Sequence, residues 1–150
     1  MIFQRVNRTD PERVFLVMRN NEGAAMVANQ TAQLELASAS IDGVRVRDMD
    51  TGNLHSFVGI CDAALADGAY GLFQVYGYRS TSILFQTATS VATGALLVPI
   101  AGQDYLDTVA STFASNTTVT IQPVFAILGE SITDSSASAT ISKKIFLRAL

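Results

Sequence analysis

The chain has 150 residues, of which 49% are hydrophobic and only 15% are charged, and its net charge is −3. Charged residues make up roughly 25% of a typical soluble domain. This length and composition predict one domain with an unusually apolar surface, or one whose surface is partly covered by a partner.

The distribution of apolar and basic residues disfavours two kinds of partner. The longest apolar runs, such as residues 14–18 and 95–98, fall far short of the roughly 20 residues of a membrane-spanning helix. Arg5, Arg8 and Arg13 are not followed by the apolar core of a signal peptide. The basic residues are not interleaved with aromatic ones and the net charge is negative. We therefore expect neither a membrane contact nor a direct nucleic-acid contact.

Short strands separated by turn residues dominate the chain from its start to residue 100. The predicted strands are 13–19, 32–36, 44–47, 54–61, 70–76, 81–86 and 95–100. Residues 1–12 are polar and precede the first strand, so they are expected to form an extended arm.

The central strand, residues 70–76, is the most distinctive of them. Asp67 and Gly68 provide a turn into it, and Gly77 is expected to end it. Alternation predicts Phe73 on the core face. The residues expected on the opposite face are Tyr70, Leu72, Gln74 and Tyr76.

The remainder of the chain mixes signals. Tyr105, Leu106, Val109 and Phe113 are spaced as one short helix, with Asp104 in its first turn. Residues 117–128 are strand-like, 131–142 form a Ser/Ala-rich loop, and 143–150 form a C-terminal strand. The fold class predicted is all-β, a small β-barrel or β-sandwich with an extended N-terminal arm and at most one short helix.

Few residues carry chemistry. Cys61 is the only cysteine and His55 the only histidine, so the chain lacks a zinc ligand set. On one continuous strand they lie about 20 Å apart, too far for a nucleophilic pair. Asp104 and Asp107 are interpreted as a solvated helix face rather than a catalytic pair. We predict no enzyme activity, no catalytic or metal site and no cofactor.

The order of motifs resembles the capsid decoration, or cement, proteins of tailed bacteriophages. The motifs are the strand Glu12-Arg13-Val14-Phe15 with Asn20 after it, Gly59-Ile60, the segment 67–77, Gly94-Ala95-Leu96-Leu97 and the closing Phe146-Leu147-Arg148-Ala149-Leu150. The resemblance implies a β-rich homotrimer, made in the host cytoplasm and bound to the major capsid protein outside the shell. Where similar proteins carry Trp in the central strand, this chain has Phe73.

The expected interface residues are Arg5 and Arg8 of the arm and Tyr70, Tyr76 and Tyr78 of the central segment. Tyrosine rings bury apolar area while the hydroxyl keeps a polar partner, which suits an interface. The alternative function is a tail, fibre or host-surface adhesion module that binds glycans, although Trp is absent. A hydrolase that uses Asp104 and Asp107 is a third, disfavoured possibility.

Overall fold

A computed structural model describes residues 11–36, 42–50, 53–86, 90–100, 104–108, 124–133 and 139–149. These residues contain nine strands and one turn of 3-10 helix. The strands are β1 (Arg13–Asn20), β2 (Thr31–Leu34), β3 (Arg45–Arg47), β4 (Phe57–Cys61), β5 (Tyr70–Gln86), β6 (Leu96–Pro99), β7 (Leu106–Thr108), β8 (Ala126–Leu128) and β9 (Ala139–Arg148). The 3-10 turn is Leu54–Ser56. The all-β prediction is confirmed.

The strand pairings form two circuits that share β5. In the first circuit the order is β5–β1–β3–β2–β4 and back to β5; in the second it is β5–β7–β6–β8–β9 and back to β5. The pairs β1–β3 and β5–β7 are parallel, and the others are antiparallel. Because each circuit returns to β5, this one strand holds the two halves of the sheet together.

The 17 residues of β5 pass through Gly77 without interruption, so the prediction that Gly77 ends the strand is wrong. Gly77 has φ +98°, and a Cβ there would overlap the carbonyl oxygen of Glu12. β1 pairs with residues 70–77 of β5, whereas β9 pairs with residues 76–86. Gly77 therefore marks the point where β5 leaves one circuit and enters the other.

The buried apolar side chains form two clusters, which follow the two circuits only in part, because Phe57 and Ile60 of β4 belong to the second cluster. The first consists of Met18, Met26, Ala32, Val46, Val58, Cys61, Leu65, Phe73 and Val75. The second consists of Met49, Phe57, Ile60, Leu84, Leu97, Leu106, Ala126, Leu128, Ile132, Ile145 and Leu147. Phe73 is fully buried, as alternation predicted, and Val75 on the same face is fully buried too. Ala149 packs against both clusters and so lies between the two cores.

Several local predictions need correction. The helix predicted around Leu106 is wrong: Leu106–Thr108 is a strand, and its Leu106 pairs in parallel with Leu84. Neighbouring strands supply the hydrogen-bond partners of this segment. β9 begins at Ala139, inside the predicted 131–142 loop. The predicted strand 54–61 starts with the 3-10 turn. Of the strand predicted over 117–128, residues 124–128 are described, and of these only Ala126–Leu128 form a strand, β8. No helix in the described ranges is long and apolar enough to cross a membrane.

Candidate assembly surface

Three large apolar side chains lie exposed where β1 runs beside β5. Val17 pairs directly with Leu72, and the next pair on this side is Arg19 with Tyr70. Val17 is 61% exposed, Leu72 48% and Tyr70 64%. Residues that face each other in an antiparallel pair project on the same side of the sheet. Val17, Leu72 and Tyr70 are called the β1–β5 patch below.

A second, half-buried aromatic group lies where β5 runs beside β9. The rings of Tyr76 and Phe146 meet edge to face with centroids 5.3 Å apart. Phe146 pairs in register with Tyr78, and Phe146 is itself 37% exposed. The edge-to-face contact restricts the ring of Tyr76, whereas the exposed ring of Tyr70 has no such aromatic neighbour among the described residues.

The predicted interface tyrosines therefore fall into two groups. Tyr76 and Tyr78 lie beside Phe146, while Tyr70 belongs to the β1–β5 patch with Leu72. Sequence reasoning did not select Val17, although it is nearly as exposed as Tyr70. Arg5 and Arg8, with the rest of the predicted arm up to residue 10, lie outside the described residues.

Gln74, which is buried and hydrogen-bonded to the buried Arg79, lies between the two groups along β5. Arg79 Nη1 donates to Asp62 Oδ1 at 3.0 Å and to Gln74 Oε1 at 3.1 Å. Its Nε and Nη2 both donate to Asn29 Oδ1, at 3.1 and 2.8 Å. Gln74 is only 1% exposed although it lies between Leu72 and Tyr76 on the strand. A buried amide needs partners, and the guanidinium provides one.

Gln74 in turn holds the backbone around Gly77. Its Nε2 lies within hydrogen-bond distance of the carbonyl oxygens of Tyr76, Gly77 and Tyr78, at 3.3, 3.3 and 3.1 Å. The Tyr78 amide donates to the carbonyl of Glu12 at 3.1 Å. The network from Arg79 through Gln74 therefore positions Tyr76 and Tyr78, and its role is structural.

Two carboxylates share one arginine at the end of β3. Glu22 Oε2 accepts the amide of Asp48 at 3.2 Å and lies 3.4 Å from Arg47 Nε. Arg47 Nε is 3.9 Å from Asp48 Oδ1. Burial, followed by the hydrogen bond and the negative charge of Glu22, raises the pKa of Asp48 to about 6. The folded chain therefore binds a proton at Asp48 more tightly than the unfolded chain does.

The replacement Asp48→Asn should stabilise the protein near neutral pH. The pKa of Asp48 is raised on folding, so its stabilising contribution is present below about pH 4 and is lost as the pH rises through about 6. Asp48→Asn should raise Tm at pH 7.5 and leave it nearly unchanged at pH 4. Thermal unfolding followed by circular dichroism across this range measures both values.

Asp42→Asn provides the control of opposite sign. Hydrogen bonds from the amides of Val44 and Arg45 lower the pKa of Asp42, so removing this carboxylate should lower Tm at pH 7.5. A fall in Tm for Asp48→Asn of equal size at both pH values would show that the raised pKa of Asp48 does not affect stability.

The residues considered for catalysis are not grouped. Asp107 is 1% exposed, and its Oδ1 accepts the amide of Thr108 at 2.6 Å. Asp104 is exposed, and its Oδ1 accepts from Gln30 Nε2 at 3.1 Å. Cys61 is buried, and burial raises the pKa of its thiol. His55 lies in the 3-10 turn and not on a strand continuous with Cys61, which corrects the geometry predicted for this pair.

One small cavity of about 180 Å³ lies beside β2 and β3. Its lining is polar and of mixed charge, and consists of Gln33, Glu35, Leu36, Arg47, Asp50 and Asn53. Gln33 is 1% exposed and its Oε1 accepts the amide of Asp50 at 3.2 Å. The described ranges contain no group of three His, Cys, Asp or Glu side chains that could hold a metal ion. The β1–β5 patch is therefore the strongest candidate site.

No protein family model matches the chain, and no curated protein is similar enough to count as a relative.

Proposed function

We propose that the chain is a structural virion protein that binds the outside of the major capsid shell of a tailed bacteriophage and stabilises the head. The observation that carries the proposal is the β1–β5 patch, because three large apolar side chains that are 48–64% exposed side by side are typical of a protein contact. The resemblance of residues 67–77 to cement proteins provides the class of partner.

The patch is well suited to bind a rigid surface. Tyr70 and Leu72 project from β5, which is anchored on both sides by β1 and β4 around Phe73. A contact surface whose backbone is already fixed loses little conformational entropy on binding. In this proposal a homotrimer presents three such patches to the shell.

Capsid binding should depend on Leu72. The experiment uses heads of the encoding virus assembled without this protein, and measures binding by co-sedimentation. Wild-type chain should bind to saturation, and Leu72→Ser should bind at least about tenfold more weakly because an anchor of the contact is removed. Val27→Ser is the matched control, since Val27 is 47% exposed but lies outside β1 and β5.

Two further measurements separate the possible outcomes. Sedimentation equilibrium of wild type and Leu72→Ser distinguishes a lost capsid contact from a lost trimer. Electron microscopy of labelled protein on whole virions locates the contact. Label on the tail instead of the head would favour the adhesion alternative, and failure of the wild-type chain to bind heads would refute the proposal.

A further inference from the structure

Among the described residues, the outer edge of β1 has no partner strand over most of its length. β1 pairs with β5 from Arg13 to Arg19, but with β3 only at Arg19 and Asn20. In the part of the chain that the structure describes, no strand pairs with the other edge of residues 13–17. The Val44 carbonyl, which accepts the amide of Arg19 at 2.9 Å, marks where this open edge stops.

The backbone groups of Phe15 and Val17 point towards this open edge. The Asn20 amide donates to Ala69 on the β5 side, while the Arg19 amide donates to Val44 on the β3 side. Successive residues of a strand direct their amides to opposite edges. Val17 and Phe15 precede Arg19 by two and four residues, so their N–H and C=O groups point away from β5, as those of Arg19 do.

The side chains along the edge are apolar in the middle and basic at the end. Val17 is 61% exposed, Phe15 is half-buried, and Arg13 is exposed. Natural edge strands are usually protected by a central charge, a proline or a bulge. Phe15 and Val17 are neither charged nor proline, and the register shift between Val14 and Phe15 places the extra residue, Val75, on β5 and not on β1. Arg13 has no ion-pair partner among the described residues.

We infer that the edge of β1 from Arg13 to Val17 binds an extended segment of another protein, in antiparallel pairing, with apolar residues opposite Val17 and Phe15 and a carboxylate opposite Arg13. Strand addition of this kind takes affinity from backbone hydrogen bonds and specificity from alternate side chains. The opposite charge at Arg13 sets the register.

A second copy of the chain fits the edge less well than an acidic segment. Antiparallel pairing of two β1 strands about Phe15 places Arg13 opposite Val17 of the other copy and diagonal to its Arg19. That arrangement leaves Arg13 without a carboxylate and brings two like charges within about 7–8 Å of each other. The inference concerns the backbone edge of the isolated protein and does not rest on the proposed capsid contact.

The probe is the peptide Thr-Val-Thr-Val-Thr-Glu-amide with fluorescein attached to its N-terminal amine, and its binding is measured by fluorescence anisotropy. Its two valines face Val17 and Phe15, and its glutamate faces Arg13. N-methylation of the two valine amides, which point at β1, should weaken binding by at least about tenfold. N-methylation of the two threonine amides between and after the valines, which point away, should change binding less than about twofold.

Two protein variants complete the test. Val17→Pro removes an outward N–H but no β1–β5 hydrogen bond, so it should weaken binding about tenfold while Val17→Thr does not. Arg13→Glu should reverse the preference from the glutamate peptide to one ending in lysine, which keeps the test valid if the proline variant fails to fold. Undetectable binding at millimolar peptide, or equal effects of the two methylation patterns, would overturn the inference. Concentration-dependent dimerisation abolished by Val17→Pro would instead identify a second copy as the occupant.

Discussion

Replacing Phe73 with Ala is expected to lower the free energy of unfolding by about 3–5 kcal/mol. Phe73 is 0% exposed within the first apolar cluster, and its strand is paired with Leu16 on one side and Cys61 on the other. The truncation loses the transfer free energy of the ring and leaves a cavity that strands fixed on both sides cannot collapse to fill. Urea unfolding followed by circular dichroism measures the change.

The comparison variants lie on the same strand. Tyr70→Ala should change the free energy of unfolding by less than about 0.5 kcal/mol because its side chain is 64% exposed. Tyr76→Ala should have an intermediate effect, since Tyr76 is half-buried and contacts Phe146. If Tyr70→Ala destabilised the protein as much as Phe73→Ala did, the assignment of the two faces of β5 would be reversed.

The faces of β5 illustrate what alternation can and cannot predict. Alternation correctly predicted Phe73 in the core and Tyr70 outside, because both follow from the period of two in a strand. It also predicted Gln74 on the outer face, yet Gln74 is buried. Arg79, five residues further along the same strand, donates to Gln74 Oε1 at 3.1 Å and so provides the buried amide with a partner.

The continuation of β5 through Gly77 was not predictable from neighbouring residues. A glycine after a strand is a normal end signal, and positive φ is the usual reason for it. At Gly77 the same positive φ serves a close approach to Glu12, whose carbonyl accepts the amide of Tyr78. That contact joins residues that are 66 positions apart in the chain, so no local pattern encodes it.

The candidate surface was predicted only in part for a related reason. Residues 14–18 are continuously apolar, so periodicity does not say which side chains face outward. The register with β5 decides it: Val17 pairs with the exposed Leu72, while Met18 pairs with Gly71 and is buried. Tyr70 was selected because an aromatic ring on a strand face is conspicuous in the sequence, and Val17 is not.

Replacing Arg79 with Met is expected to lower the free energy of unfolding by about 3 kcal/mol. Methionine fills a comparable space but leaves Gln74 Oε1 and Asn29 Oδ1 without the donor they now share. Arg79→Lys should recover little of this loss, because one ammonium group cannot reproduce the separate contacts that the planar guanidinium makes. Equilibrium unfolding in urea measures each variant against wild type.

Arg148→Met is the matched control, since Arg148 is exposed on β9 and its replacement should change the free energy of unfolding by less than about 0.5 kcal/mol.

The loss of Arg79 should also have a local effect on hydrogen exchange. Without Arg79 the Gln74 side chain loses its anchor, so hydrogen exchange at the Tyr78 amide should accelerate more than exchange at amides near Leu84. If hydrogen exchange instead accelerated equally at all amides of β5, Arg79 would contribute only to global stability. It would then not specifically hold the part of β5 that carries Tyr76 and Tyr78.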